Sequence, residues 1–249
     1  MALVSSATVA PDPEGDDREM MEQRAVEIAC DSVSLAGDLV VPPDAIGLVA
    51  FAHGSGSSRL SPRNRYVAEV LQGGALGTLL FDLLTPDEER IDARTRHLRF
   101  DIELLADRLV GATDWLCLQG SPGGLPLGYF GASTGAAAAL IAAARRPERV
   151  GAVVSRGGRP DLAIPVLADV RAPTLLIVGG LDHAVIRMNE QALACLPGVK
   201  EMAIVEGATH LFEEPGTLER VALLARDWFR RHLAGELHRG TAKTRSPSD

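Results

Sequence analysis

From Leu125 to Ala144 an apolar run passes directly into an alanine-rich one through Gly131-Ala132-Ser133-Thr134-Gly135. Leu125 to Phe130 reads as a short buried strand and Ala136 to Ala144 as a helix, which places the serine on a strand-to-helix corner with almost no loop. Such a corner forces its central residue into a strained backbone conformation, and it needs small neighbours so that adjoining backbones can approach. The serine hydroxyl is then held outward at the positive end of a helix. The glycine-serine-glycine spacing is a weak signal alone; its position at this corner gives it weight.

The rest of the chain extends the alternation. Val26 to Cys30 and Val33 to Val41 suggest an opening hairpin, and Gly47 to Ala52 a third, almost wholly apolar strand. Ser61 to Leu71 reads as a helix with a capping serine and Pro62 at its first position. A strand at Leu79 to Leu83 follows, and residues 92–118 keep apolar side chains at 98, 102, 105, 109, 112 and 116, one face of a long amphipathic helix. Strands at Val150 to Val154, Thr174 to Val178 and Glu201 to Val205 alternate with helical stretches at Asp161 to Ala168 and Arg187 to Leu196. A last helix aligns Leu218, Val221, Leu224 and Trp228. Strands apolar on both faces and separated by amphipathic helices predict an α/β architecture, a mostly parallel sheet of about eight strands covered on both sides. Right-handed crossovers place the C-terminal strand ends on one edge, where ligand-binding groups gather.

At 249 residues one domain is expected, over residues 23–236, with loose tails at 1–22 and 237–249. No stretch approaches the roughly 18 uninterrupted apolar residues of a membrane span. The start of the chain lacks a basic, then apolar, leader pattern, so the expected location is cytoplasmic. A formal net charge of −8 without a clustered basic stripe argues against a nucleic-acid surface and for a small-molecule partner. Cys30, Cys117 and Cys195 have no metal-ligand spacing and lie in apolar segments, where they read as core. Neither a metal site nor a dinucleotide fingerprint is present in the pattern, so no cofactor is expected. The sequence does not indicate an oligomeric state.

A serine hydroxyl needs a base to take its proton and a third group to orient that base. Asp182 follows the strand at Thr174 to Val178, and His210 follows the last strand, so the topology brings both to the edge where Ser133 projects. Asp161 is a second candidate acid because it also follows a strand. The histidines at 97, 183, 232 and 238 have weaker positions. His53-Gly54-Ser55-Gly56-Ser57-Ser58 follows the third strand, where a second oxyanion donor is expected: Thr134 would give one backbone N–H and Ser55 the other. A phosphate-cradling loop is the competing reading, but the Gly-Lys-Ser/Thr ending is absent. His53 itself reads as a brace for the loop. Arg59 and Arg63 near this loop, and Arg156 and Arg159 in the loop after Val150 to Val154, are candidate contacts for an anionic substrate group.

These motifs together resemble the α/β-hydrolase fold, and within it the dienelactone hydrolase-like family, over residues 24–235. The resemblance is carried by the opening hairpin, His53-Gly54-Ser55, the serine corner, Gly179 to Asp182 and Gly207 to Phe212. It implies Ser133 as nucleophile, Asp182 and His210 as its partners, Ser55 and Thr134 as oxyanion donors, and hydrolysis of small soluble carboxylic esters or lactones through an acyl-enzyme. The family's namesake carries a cysteine nucleophile, from which this serine departs. His53 to Arg65 and Ser155 to Leu162 are also similar to a bacterial subgroup of such hydrolases, some attached to phosphoribosyltransferase domains; no such domain is expected in a chain of this length. Only 18 residues separate Ser155 from Thr174, which leaves no room for a large lid and predicts an open, shallow site. Acyl transfer, peptide hydrolysis and a non-catalytic ligand-binding role are the alternatives the residues leave open.

Overall fold

A computed structural model describes residues 22–234. Of the expected tails at 1–22 and 237–249, all but Glu22, which opens the first strand, lies outside the described residues. Eight strands form one sheet in the order β1-β2-β4-β3-β5-β6-β7-β8. β1 (Glu22–Cys30) and β2 (Val33–Val41) form an antiparallel hairpin, turned at Asp31-Ser32 with Asp31 at φ 48°. β2 pairs antiparallel with β4 (Leu76–Phe81). β3 (Gly47–Ala52), β5 (Leu127–Ala132), β6 (Val150–Arg156), β7 (Thr174–Gly179) and β8 (Lys200–Val205) run parallel to their neighbours. β3, β4, β5 and β7 are buried at every position, as strands covered on both faces must be.

The two faces carry separate cores. On one, α3 (Ile102–Cys117) and α5 (Thr134–Arg145) cover Leu48, Leu79, Tyr129 and Val153. On the other, α1 (Pro62–Gln72) and α7 (Thr217–Leu233) cover Phe51, Phe130, Val154 and Ile177. α1 begins as its sequence predicts: the Ser61 hydroxyl accepts the Asn64 N–H at 3.4 Å and Pro62 follows at the first turn. α5 is alanine from Ala136 to Ala139, and every residue from Thr134 to Ala143 is buried, so a helix of small side chains lies deep between sheet and neighbours. A single turn, α4 (Gly120–Gly123), follows α3, and α6 (His183–Cys195) completes the helical layers.

Five expectations need correction. The single helix over residues 92–118 is broken into α2 (Pro86–Thr95), a 3-10 turn at Leu98–Phe100 and α3. Arg96 closes α2 in the left-handed region at φ 57°, the Asp92 carboxylate takes the Arg99 N–H and side chain, and Asp101 starts α3 anew by accepting the Leu104 N–H at 3.1 Å. β4 begins three residues earlier than the predicted strand at Leu79, and the helical stretch near Asp161 is a 3-10 segment, Pro160–Asp169. β6 continues through Ser155 and Arg156, so Arg156 is the buried end of a strand, not a loop residue. Of the cysteines only Cys30 is core; Cys117 and Cys195 end α3 and α6 and are exposed, because the apolar stripe of each helix runs out there.

Candidate active site

Ser133 sits between β5 and α5 with φ 51° and ψ −120°, a conformation costing roughly 1–3 kcal/mol for a residue with a Cβ. Its surroundings impose it. The Ser133 N–H donates to the Arg156 carbonyl at 3.2 Å, and the Ser133 carbonyl accepts from Ala136 and Arg159 at 3.1 Å each. The flanking glycines are steric necessities: a Cβ on Gly131 would come within 2.4 Å of the Ala136 Cα, and one on Gly135 within 2.2 Å of the Ala52 carbonyl oxygen. The nucleophile candidate is thus positioned by backbone contacts among β3, β5, β6 and α5.

Asp182 and His210 meet. His210 Nδ1 donates to Asp182 Oδ2 at 2.7 Å, with the aspartate side chain 16% exposed and the imidazole 39% exposed. β7 and the turn after β8 pack closely enough to make this possible only because residue 179 is glycine, whose added Cβ would meet the Ala208 and Thr209 carbonyl oxygens at 2.5 and 2.6 Å. The histidine turn is tied down by Glu214, which accepts the Thr209 N–H at 3.1 Å and the Thr209 hydroxyl at 2.6 Å, and by Phe212, buried at φ 55°. Those bonds hold the Glu214 carboxyl below its usual range. Asp161 is occupied elsewhere, accepting both arms of the Arg159 guanidinium at 2.8 Å.

His210 and Ser133 line one cavity of about 250 Å3, with Ser55, Arg63, Arg156 and Leu211. It adjoins a larger cleft of about 580 Å3 that shares the Ser55–Ser61 loop and continues to Leu84, Glu89, Asp92, Arg99 and Leu105. Burial, with Asp82 nearby, raises the Glu89 carboxyl above its ordinary value. The 3-10 segment that spans the short connection after β6 packs against α5 and α6, and no large lid covers the site among the described residues.

The two expected oxyanion donors are in different states. The Thr134 N–H is at the first turn of α5 and has no hydrogen-bond partner among the described residues, whereas the Ser55 N–H is donated to the Thr134 hydroxyl at 3.0 Å. The sequence reading of Ser55 missed this latch, since nothing in the spacing shows a threonine hydroxyl reaching across 79 positions. His53 is a brace: its Nε2 accepts the Leu83 N–H at 3.1 Å, leaving the proton on Nδ1 to be given to the Gly54 carbonyl, also at 3.1 Å. Burial lowers its pKa, so the ring is neutral.

The four arginines separate cleanly. Arg59 is held by Asp82, through both its N–H at 2.7 Å and its side chain, and by Asp38. Arg159 belongs to Asp161. Arg63 reaches Glu213 at 2.9 Å with Nη1 but keeps a buried Nε without a partner. Arg156 is 9% exposed, its Nη1 is buried and unpartnered, and no carboxylate among the described residues pairs with it; burial and the neighbouring Arg63 pull its pKa down to about 10. Glu214 and Asp82, which brace the His210 turn and the loop before α1, carry no recognisable motif in the sequence.

Among the described residues no helix is long and apolar enough to cross a membrane. No family model matches the chain. Two Mycobacterium tuberculosis proteins, each described as a phosphoribosyl transferase, are 58% identical over 234 residues, covering 94% of this chain and 51% of theirs. The chain therefore spans about half the length of the curated relatives it matches. A solved structure, Est1E from Butyrivibrio proteoclasticus, is similar in fold at TM-score 0.70 and 15% identity, over 83% of this chain and 98% of that one. The dienelactone hydrolase of Anabaena variabilis superposes with a TM-score of 0.84 and is 63% identical, over 86% of this chain and 99% of that one. An identity of that size, sustained along the whole of a relative, means that the chain belongs to the dienelactone hydrolase-like family of the α/β-hydrolase fold.

Proposed function

We propose that the protein is a serine hydrolase that cleaves small soluble carboxylic esters or lactones through an acyl-enzyme. The observation that carries this reading is the 2.7 Å bond from His210 Nδ1 to Asp182, made by an imidazole that shares one cavity with a strained, outward-held Ser133. Ser133 Oγ attacks the carbonyl carbon while His210 Nε2 takes its proton. Asp182 keeps the other ring proton on Nδ1 and stabilises the imidazolium that forms. The tetrahedral oxyanion accepts the Thr134 N–H, and the Ser55 N–H joins when it turns from the Thr134 hydroxyl toward the ligand. As the oxyanion collapses, the bond to the leaving alkoxide breaks and His210 returns the proton to it. Water then attacks the acyl-serine with His210 as base, releasing the acid and restoring the hydroxyl. The names of the Anabaena relative and of the esterases that share the fold support ester cleavage. The uncapped connection after β6 favours short substrates over long acyl chains.

The test is fluorophosphonate labelling beside an ester panel. Wild type should react stoichiometrically, and Ser133→Ala should lose labelling together with at least about 10⁴-fold of kcat. A Ser133→Ala preparation that still turns over esters at the wild-type rate overturns the assignment, and a preference for long-chain lipids over short esters overturns the substrate size.

A further inference from the structure

Arg156 contradicts the ordinary rule for buried charge. A guanidinium taken out of water costs several kcal/mol unless a counter-ion and hydrogen bonds compensate it, and Arg156, 9% exposed, has no carboxylate partner among the described residues and a buried Nη1 without an acceptor. The same chain compensates its other partly buried arginines: Arg99 has Asp92, Arg108 has Glu88, and Arg59 has Asp82. Nor is Arg156 remote from the chemistry. Its carbonyl holds the Ser133 N–H, and a Cβ added at the next residue, Gly157, would lie 3.6 Å from His210 Cε1.

The cavity tells what would satisfy it. No carboxylate lines it; two cations and four serine hydroxyls do, Ser55, Ser57, Ser61 and Ser133. Arg63, which also lines the cavity, reaches Glu213 with Nη1 and keeps a buried Nε without an acceptor. A carboxylate has two oxygens and is saturated by one guanidinium fork, whereas a phosphomonoester brings three oxygens and nearly two charges. Two guanidinium groups, with Ser55 and Ser57 also lining the cavity, match the second better than the first.

We propose that Arg156, with Arg63, forms a subsite for a phosphomonoester carried by the substrate, so that the scissile ester is presented to Ser133 by its phosphorylated end. This rests on the serine hydrolase reading of the same cavity. The uncompensated charge is then kept for the ligand at the expense of the empty fold.

Two measurements test it. In the first, inorganic phosphate at constant ionic strength raises the Tm of the wild type and leaves that of Arg156→Met unchanged, while Arg156→Met is itself more thermostable than wild type because an uncompensated buried charge has gone. A Tm lowered by Arg156→Met, or raised equally by phosphate in both proteins, overturns the subsite. In the second, kcat/KM is compared for p-nitrophenyl butyrate, mono-p-nitrophenyl succinate and p-nitrophenyl 4-hydroxybutyrate phosphorylated on its hydroxyl oxygen. The phosphorylated ester should be preferred, and Arg156→Met should cost it roughly 10- to 100-fold, mostly in KM, well beyond its effect on the neutral ester. Arg156→Lys should recover part of the loss, and Arg171→Gln, which removes an exposed charge elsewhere, should leave all three esters at the wild-type rate. Equal losses on all three esters, or an Arg156-dependent preference for the succinate, overturns the proposal. Fluorophosphonate labelling separates the two failures: labelled Arg156→Met with no phosphate preference sinks the subsite alone, and unlabelled wild type sinks the hydrolase reading.

Discussion

The two halves of the candidate site are held by different forces. Ser133 is fixed by backbone packing: three of its bonds run to main chain, and the glycines beside it stand where a single extra carbon would collide with neighbouring peptide units. The Asp182–His210 pair needs one such close approach, at Gly179, and is otherwise fixed by polar side-chain bonds on a half-exposed turn, with Glu214 as tether. Steric positioning couples a residue's place to the stability of the whole sheet, while a polar tether on the surface adds little to folding and much to orientation. Damage to the backbone contacts should therefore appear in stability and activity together, and damage to the polar side-chain bonds of Asp182, His210 and Glu214 in activity alone.

Asp182→Asn gives the largest separation. It should lower kcat by about 10³- to 10⁴-fold, because an amide no longer selects the tautomer with the proton on Nδ1, while Tm moves by no more than about 3 °C. A matching collapse in Tm would break the contrast. Gly135→Ala tests the other half: the collision with the Ala52 carbonyl should cost about 3 kcal/mol, or roughly 6–12 °C of Tm, with activity falling in step. Thermal melts and initial rates on the same preparation check it. Glu214→Gln should reduce kcat by about 3- to 10-fold with little change in Tm, since only the charge-assisted bonds to Thr209 are weakened. The smallest effect concerns His53, buried beneath the loop that carries Ser55. Its folded pKa lies below the ordinary 6.5, so as pH falls past that value the unfolded chain takes up a proton that the folded ring refuses. The stability contribution is complete above 6.5 and is lost as pH drops toward the folded pKa; urea titrations at a series of pH values should show this slope, flattened in His53→Gln.

Much of this organisation is legible in the residues. Apolar runs bounded by glycine, proline and serine mark β3 and β7 almost to the residue and β5 two residues early, because strands covered on both faces leave an uninterrupted hydrophobic signature. The positions of Ser133, Asp182 and His210 at strand ends follow from the same alternation. The broken helix over residues 92–118 is illegible to periodicity, since α2 and α3 keep compatible apolar spacing while the interruption depends on Asp92 and Asp101 taking backbone N–H groups. Arg156 is misread for a related reason: an arginine looks like the end of a strand, and only the three-dimensional neighbourhood shows that β6 carries it inward. The latch from Thr134 to Ser55 and the tether from Glu214 to Thr209 join residues through space, and no local pattern announces them.

One consequence follows from the clamp at Gly135. Because four main-chain segments meet at that corner, the Ser133 backbone is held in place, and exchanges of side chains there have little room to shift it by small steps. Diversification in such a protein must instead happen around the mouth, where Leu60 lines the larger cleft and Leu211 the smaller cavity, both exposed on loops that follow strands. New substrates would be won by resculpting that apolar rim over an anvil that stays still.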